Sequence, residues 1–194
     1  MSNEPLRLAV IISSVREGRM GPQVSEWFAT QARERSDYTV DVIDLAEHEL
    51  PAAIQYEPSA QAAEALATIS PRLEAADAFV VVVPEYNHSY PASLKHLIDW
   101  HFTPWRAKPV GFVSYGGMAG GLRAVEHLRS VFAEMHAVTV RDGISFHTVW
   151  EQFGEDGALK DTEGPGTAAK VLLDQLGWWG TVLREGRAKT PYEA

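Results

Sequence analysis

The sequence contains no cysteine, which excludes disulfide bonds, thiolate metal ligands and a dithiol redox centre. Any redox chemistry must therefore come from a bound cofactor. Positive charge is also scarce, because 17 Lys and Arg residues stand against 26 Asp and Glu residues and give a net charge of −9. No basic stripe is available to displace counterions from nucleic-acid phosphates, so we expect no nucleic-acid partner.

Long apolar segments are missing as well. No run of 18 apolar residues is present, so we expect no membrane-spanning helix. The first residues pass directly into a strand pattern without the basic flank and cleavage site of a signal peptide, which favours a cytoplasmic location. With 194 residues and 45% hydrophobic content, the sequence suffices for one well-buried core, and we predict a single domain over residues 1–194.

Several catalytic motifs are absent too. The sequence has no G-x-S-x-G nucleophile turn, and its seven histidines include no H-x-x-x-H pair, so neither a serine hydrolase nor a catalytic metal is expected. Neither the Lys-Ser/Thr ending of a P-loop nor the G-x-G-x-x-G spacing of a dinucleotide site follows the first predicted strand. A mononucleotide phosphate is the better expectation there.

What the sequence does contain is an alternation of apolar strands with amphipathic helices. Residues 80–83 are consecutive valines, which predicts a central strand buried on both faces. Similar patterns predict strands at 6–12, 39–44, 109–115 and 137–144, with a closing helix at 167–184. The alternation predicts an α/β fold, a three-layer α/β/α sandwich around a five-stranded parallel sheet of order 2-1-3-4-5.

The first loop of interest follows strand one. Ser13 ends that strand, and Arg16, Gly18, Arg19 and Gly21 lie between it and the next helix. Backbone N–H groups at a helix start, together with a hydroxyl and either arginine, make an anion cradle that suits a phosphate. The alternative is a surface loop with solvated arginines.

The second loop follows the valine strand. Pro84 releases the chain at the carboxyl end of the strand, where open α/β sheets bind ligands, and Pro91 permits the next helix to begin. Between them, the aromatic and hydrogen-bonding groups of residues 85–89 suit a flat polar ligand. For His88 we expect a surface or hydrogen-bonding role rather than proton transfer.

The third loop is rich in glycine, with four glycines at 116–121. Glycine allows positive φ and close approach of the backbone to a ligand, although most such turns are purely structural. The loops after strands one, three and four would meet at one edge of the predicted sheet, and this joint pattern is more informative than any one loop. Further along, Trp150 and Phe153 are both expected to be buried.

Three segments together resemble the NADPH-dependent FMN reductase family, which has a flavodoxin-like fold and also includes quinone, azo-dye and chromate reductases. They are SVREGRMGPQVSEWF at 14–28, PEYNHSYPASLKHLIDW at 84–100 and YGGMAGGLRAVEHL at 115–128. The similarity runs from about residue 6 to 183, and P-E-Y-N-x-S-Y-P is its specific part.

The resemblance implies FMN as cofactor, NADPH or NADH as co-substrate, and no catalytic side chain. The FMN phosphate would be held by Ser13, Arg16, Gly18 and Gly21. The isoalloxazine would be lined by Pro84, Glu85, Tyr86, Asn87, His88 and Ser89, with Ser114, Gly116 and Gly117 near its pyrimidine side. Many family members carry a hydroxyl near the first helix turn, whereas this sequence has Met20, Gly21 and Pro22, so backbone N–H groups or Gln23 are the expected substitutes.

The expected function is that of an FMN-dependent NAD(P)H oxidoreductase acting on free flavin, quinones or similar acceptors. A non-catalytic electron carrier of the flavodoxin type is the alternative, and an FMN-binding regulatory module is a weaker one. The resemblance also implies a homodimer or homotetramer in which the helix at 95–100 corresponds to the family's subunit contact.

Overall fold

A parallel sheet forms the centre of the computed structural model, which describes residues 4–193. Its strands are β1 (Leu6–Ile12), β2 (Tyr38–Asp44), β3 (Ala78–Pro84), β4 (Pro109–Tyr115), β5 (Val138–Thr139) and β6 (Ile144–Phe146). All pairings are parallel and the order is β2-β1-β3-β4-β5, with β6 also pairing with β4. The predicted order 2-1-3-4-5 is confirmed.

Helices cover both faces of this sheet. Within residues 4–193 they are α1 (Gly21–Arg33), α2 (Ala60–Ala75), α3 (Ala92–Trp100), α4 (Leu122–Glu134), α5 (Val149–Gln152) and α6 (Glu163–Lys189), with a 3₁₀ turn at Leu45–Glu47. One apolar core lies between the sheet and α2, α3 and α4, and a second lies between the sheet and α1 and α6. The flavodoxin-like three-layer sandwich is therefore confirmed. No helix in the described part of the chain has the length and apolar character to cross a membrane.

The central strands form where the sequence is apolar without interruption. Every residue of β3 and β4 is buried, as a strand covered by helices on both faces requires. In β1, only Arg7 of the seven residues is exposed. The burial of these strands places their carboxyl ends, and the loops that follow them, at one fixed edge of the sheet.

The predicted fifth strand at 137–144 is not continuous. Two short strands, β5 and β6, occupy its place beside β4, separated by residues 140–143. Within this gap, the Arg129 guanidinium donates to the carbonyl oxygens of Val140 (2.8 Å) and Arg141 (3.0 Å). A side chain of α4 thus donates hydrogen bonds to both of these carbonyls.

The two aromatic residues that were expected to be buried near the end of the sheet differ in their solvent exposure. Phe153 is 5% exposed and packs against Phe146, as predicted. Trp150 is 62% exposed, so that prediction is wrong. The reason is local, because α5 is only four residues long and follows Thr148 in a left-handed conformation, which leaves Trp150 on its outer side.

Candidate active site at the carboxyl edge of the sheet

Direct contacts join the loops that follow β1, β3 and β4. The Tyr86 hydroxyl and the Ser14 hydroxyl lie 2.5 Å apart, joining the first loop to the second. The Glu85 N–H donates to the Tyr115 carbonyl at 3.1 Å, joining the second loop to the end of β4. The sheet thus brings the three predicted loops to one site.

The first loop is held rigidly at its start. Ser13 is fully buried, and both its N–H and its hydroxyl donate to the Val82 carbonyl of β3, at 3.1 Å and 2.9 Å. The Ser93 hydroxyl at the start of α3 donates to the Ser13 carbonyl at 2.5 Å. The Ser13 side chain therefore fixes the loop against β3, and its hydroxyl is already engaged.

The two arginines of this loop have different environments. Arg19 makes two hydrogen bonds to the Asp44 carboxylate, at 2.5 Å and 2.7 Å, and a third to the Ser14 carbonyl. The Asp44 carboxylate raises the pKa of Arg19. Arg16 is exposed and forms no ion pair or hydrogen bond with any residue from 4 to 193. Of the two, Arg16 is the arginine available to an anion.

The start of α1 offers backbone donors. Met20 precedes the helix without a side-chain cap, so the first-turn N–H groups have no side-chain acceptor there. The Gln23 amide nitrogen lies 3.8 Å from where a Cβ on Gly157 would stand, so that side chain extends toward the turn around Gly157. Together with the helix dipole, the backbone N–H groups in the first turn of α1 suit a phosphate.

Two glycines shape this loop. Gly18 has φ of +65° in an exposed turn, a conformation that favours glycine. At Gly21, a Cβ would lie 2.8 Å from Ile12 and 3.0 Å from the Tyr115 hydroxyl, so the helix start can approach the strand ends only without a side chain. Burial raises the pKa of the Tyr115 hydroxyl. Sequence reasoning did not identify Tyr115, which read only as a strand residue.

The second loop contains a tight turn over residues 86–89. Tyr86 and Ser89 exchange two backbone hydrogen bonds, at 2.8 Å and 3.1 Å. The central residues, Asn87 and His88, have φ of +48° and +75° and are exposed. Two positive φ values at the central positions are the signature of a type I′ turn. The turn leaves the Asn87 and His88 side chains exposed at the surface of the site.

The residues that precede this turn are more buried. Pro84 is the last residue of β3 and pairs with Tyr115. The side chain of Glu85 is 10% exposed, and one carboxylate oxygen accepts a hydrogen bond from Arg123 at 2.7 Å. Its other oxygen, Oε2, is buried and has no partner within the described residues.

The third loop supplies backbone more than side chains. The Ser114 hydroxyl is buried and donates to the Gly120 carbonyl at 2.8 Å, so it supports the loop. The Gly116 N–H donates to Phe146, whereas the Gly117 N–H has no partner among residues 4–193. The Trp150 ring lies 3.4 Å from where a Cβ on Gly117 would stand. Gly117 is therefore one of the backbone donors of this loop that the other described residues leave free.

Two residues of α4 also belong to the site, and sequence reasoning did not identify them. Arg123 binds Glu85, and His127 Nδ1 lies 2.9 Å from the Ser89 hydroxyl. Their spacing of four residues places both on one face of the helix, which is the signal that the sequence offered.

The combined chemistry fits a planar heteroaromatic ligand carrying a phosphate. Backbone N–H groups and Arg16 lie at one end of the site, and a turn with an aromatic residue and a glycine loop lie at the other. A cleft of about 520 Å³ opens beside the first loop; it is lined mostly by residues 45–52, with Val15, Ser93 and His96, and not by the second or third loop. These features fit the FMN that the sequence resemblance implies.

Known proteins with similar sequences and folds agree with this reading. An NAD(P)H-dependent FMN reductase of Schizosaccharomyces pombe is 31% identical over 122 residues, which is 59% of this chain and 60% of that protein. An NAD(P)H:quinone oxidoreductase of Solanum tuberosum is 37% identical over 110 residues, 53% of this chain and 56% of that protein. The matched part of the chain thus spans somewhat more than half the length of these relatives.

A solved structure and a family profile complete the comparison. The structure of FerB, a flavoenzyme NAD(P)H:(acceptor) oxidoreductase from Paracoccus denitrificans, superposes with a TM-score of 0.70 at 22% identity. That superposition covers 91% of this chain and 97% of FerB, and it establishes the shared fold. The profile described as NADPH-dependent FMN reductase matches residues 6–151, which include all three loops. The chain therefore belongs to the NADPH-dependent FMN reductase family.

Proposed function

We propose that this protein is an FMN-dependent NAD(P)H oxidoreductase that passes electrons to free flavin, a quinone or a similar small acceptor. Family membership and the printed names of the relatives, an FMN reductase and a quinone oxidoreductase, support this activity. The observation that carries it is the meeting, at one sheet edge, of a loop with an unpaired arginine, a type I′ turn and a glycine loop. We propose NADPH or NADH as the reductant and the cytoplasm as the location.

The proposed roles of the residues follow from their environments. Arg16 and the backbone N–H groups at the start of α1 would bind the FMN phosphate, while Gly18 and Gly21 shape the loop and Ser13 anchors it to β3. The 84–89 segment would contact the flavin ring, with Tyr86 held by its bond to Ser14.

Negative charge on the pyrimidine side of the ring would be stabilised by the glycine loop. Gly117 supplies one free N–H, whereas Gly116 and Ser114 hold the loop in place. Bound FMN supplies two-electron exchange with a nicotinamide, so the protein has chiefly to bind and orient the two rings. We therefore propose no catalytic acid or base.

Steady-state oxidation of NADH and NADPH with a panel of acceptors tests the proposal. The FMN-loaded protein should oxidise at least one nicotinamide with free FMN or a quinone as acceptor. An electron carrier of the flavodoxin type would bind FMN but show no such turnover without a separate reductase, and that result would contradict the proposed activity.

We also propose a homodimer or homotetramer with α3 near the contact. Phe102, just beyond α3, is 55% exposed. The segment at 51–59 is joined to the end of α3 by a hydrogen bond from Trp100 to the Pro51 carbonyl, and it carries Ile54 and Tyr56, which are also exposed. Large exposed apolar side chains of this kind are typical of subunit contacts.

A further inference from the structure

The 86–89 turn has a backbone conformation that its own sequence does not favour. Asn and His tolerate positive φ better than most residues, but the second central position of a type I′ turn favours glycine, and His88 occupies it at φ +75°. Such a conformation persists only where the surrounding structure holds it. Contacts from outside the turn must therefore stabilise it.

Helix α4 supplies contacts at both ends of the turn. On one side, Arg123 donates to the Glu85 carboxylate at 2.7 Å. On the other, His127 Nδ1 lies 2.9 Å from the Ser89 hydroxyl, and the His127 ring stands 6.2 Å from the His88 ring. The two α4 residues are one helical turn apart, so they can hold the turn from both ends at once.

The Glu85 carboxylate makes the first contact especially important. Its side chain is 10% exposed, and Arg123 is its only ionic partner within residues 4–193. Removing the partner of a largely buried carboxylate leaves an uncompensated charge, which is unfavourable. Without Arg123, the Glu85 side chain should turn toward water and move the backbone from which the turn begins.

We propose that Arg123 and His127 are positioning residues that set the conformation of the 86–89 turn and, through it, the environment of the flavin ring. They act through Glu85 and Ser89 and need not touch the ring. The consequence for flavin rests on the proposed function, whereas the consequence for the turn does not.

Hydrogen exchange of the apoprotein tests the turn by itself. In Arg123→Met and in His127→Leu, the peptide covering residues 84–91 should exchange about tenfold faster, since loss of a stabilising contact raises the population of open states. Arg33→Met is the matched control, because Arg33 and Arg123 are 46% and 49% exposed and each pairs with one glutamate. Unchanged exchange in both α4 variants would overturn the proposal even if they bind FMN weakly.

Flavin binding tests the second step. We expect Arg123→Met to weaken FMN binding by about tenfold. It should also change the ratio of the affinities for oxidised and reduced FMN, which a measured midpoint potential reports. Arg123→Lys and His127→Asn should restore most of the wild-type values, because each keeps a donor or acceptor at the same position.

A double-mutant cycle identifies the route. If Arg123 acts through Glu85, the double variant Arg123→Met with Glu85→Gln should lose no more FMN affinity than the worse single variant. If the losses of FMN affinity in the two single variants multiplied in the double variant, the proposed route through Glu85 would be overturned. If the wild-type protein binds no FMN, the proposed function fails, but faster exchange at 84–91 in the α4 variants would still support the positioning role.

Discussion

Arg16 and Arg19 lie three residues apart in one loop, yet their surroundings give them different tasks. Arg19 is bound by Asp44, a residue that reaches it only because β2 lies beside β1 in the sheet. The residue pattern alone allowed either arginine to bind the phosphate, and only the family resemblance selected Arg16. The distinction depends on a contact between residues 25 positions apart.

Replacing Arg16 with Ala should separate phosphate binding from ring binding. We expect FMN affinity to fall about 10- to 100-fold, since a charge-assisted hydrogen bond contributes ~1.5–3 kcal/mol, and riboflavin affinity to stay the same. Quenching of flavin fluorescence measures both affinities, with Arg33→Ala as the control. An equal loss for both flavins would contradict the assignment of the phosphate site.

His88 is exposed at the tip of its turn, which suits a supporting role. In His88→Ala, stopped-flow reduction of the flavin at saturating NAD(P)H should slow by less than about tenfold, whereas loss of a general acid or base costs ~10²–10⁴-fold. Any larger effect should appear in the apparent affinity for the acceptor. A hydride step a hundredfold slower would mean that the imidazole takes part in the chemistry.

At the scale of elements, predominantly apolar runs were sufficient to predict β4 and, despite its interruption at Arg7, β1 with their observed bounds. The fifth strand was not predictable in the same way, because the Arg129 bonds that interrupt it come from a helix. The contribution of α4 to the site was missed for a similar reason. Its Arg123 and His127 gain their roles only when the fold places α4 beside the 86–89 turn.

Lys108 directly precedes β4 and joins it to the end of α2, at the amino ends of the strands. It is 7% exposed, and its ammonium group donates to the carbonyls of Leu73 (3.2 Å) and Glu74 (2.9 Å) at the end of α2. Burial, together with the nearby Arg187 charge, lowers the pKa of Lys108 from 10.5 to about 8. Between these two values, the unfolded chain keeps a proton that the folded protein has released.

The free energy of unfolding should therefore rise with pH in this window relative to a variant without the amine. We subtract the free energy of unfolding of Lys108→Met from that of the wild type. This value should be constant below pH ~8 and become more positive by about 1–3 kcal/mol toward pH ~10.5. Urea denaturation at several pH values measures it, with Lys170→Met, an exposed lysine of α6, as control. A difference that does not change with pH would refute the assigned role of burial.

For the whole molecule, the sequence predicted the layers, the strand order and the edge that carries the site. These follow from which segments are apolar and from the geometry of parallel sheets. The details that decide chemistry did not follow, such as the engaged hydroxyls of Ser13 and Ser114 or the free N–H at Gly117. Each depends on hydrogen bonds between distant segments.

The proposed assembly gives a prediction at this scale. Wild-type protein should sediment as a dimer or larger at micromolar concentration, and Phe102→Asp should shift it toward monomer, because a charge replaces an exposed apolar side chain near α3. Val182→Asp, at a similarly exposed position on α6, is the control. A wild-type monomer at these concentrations would contradict the prediction.

The interruption between β5 and β6 also bears on how copies of this chain can associate. A long, regular edge strand offers unpaired N–H and C=O groups that invite another chain to add a strand, which leads to aggregation. Here that side of the sheet consists of segments of two and three residues, and Arg129 already occupies carbonyls in the gap. Strand addition is therefore disfavoured on this side, which agrees with the contact through α3 that we propose for the assembly.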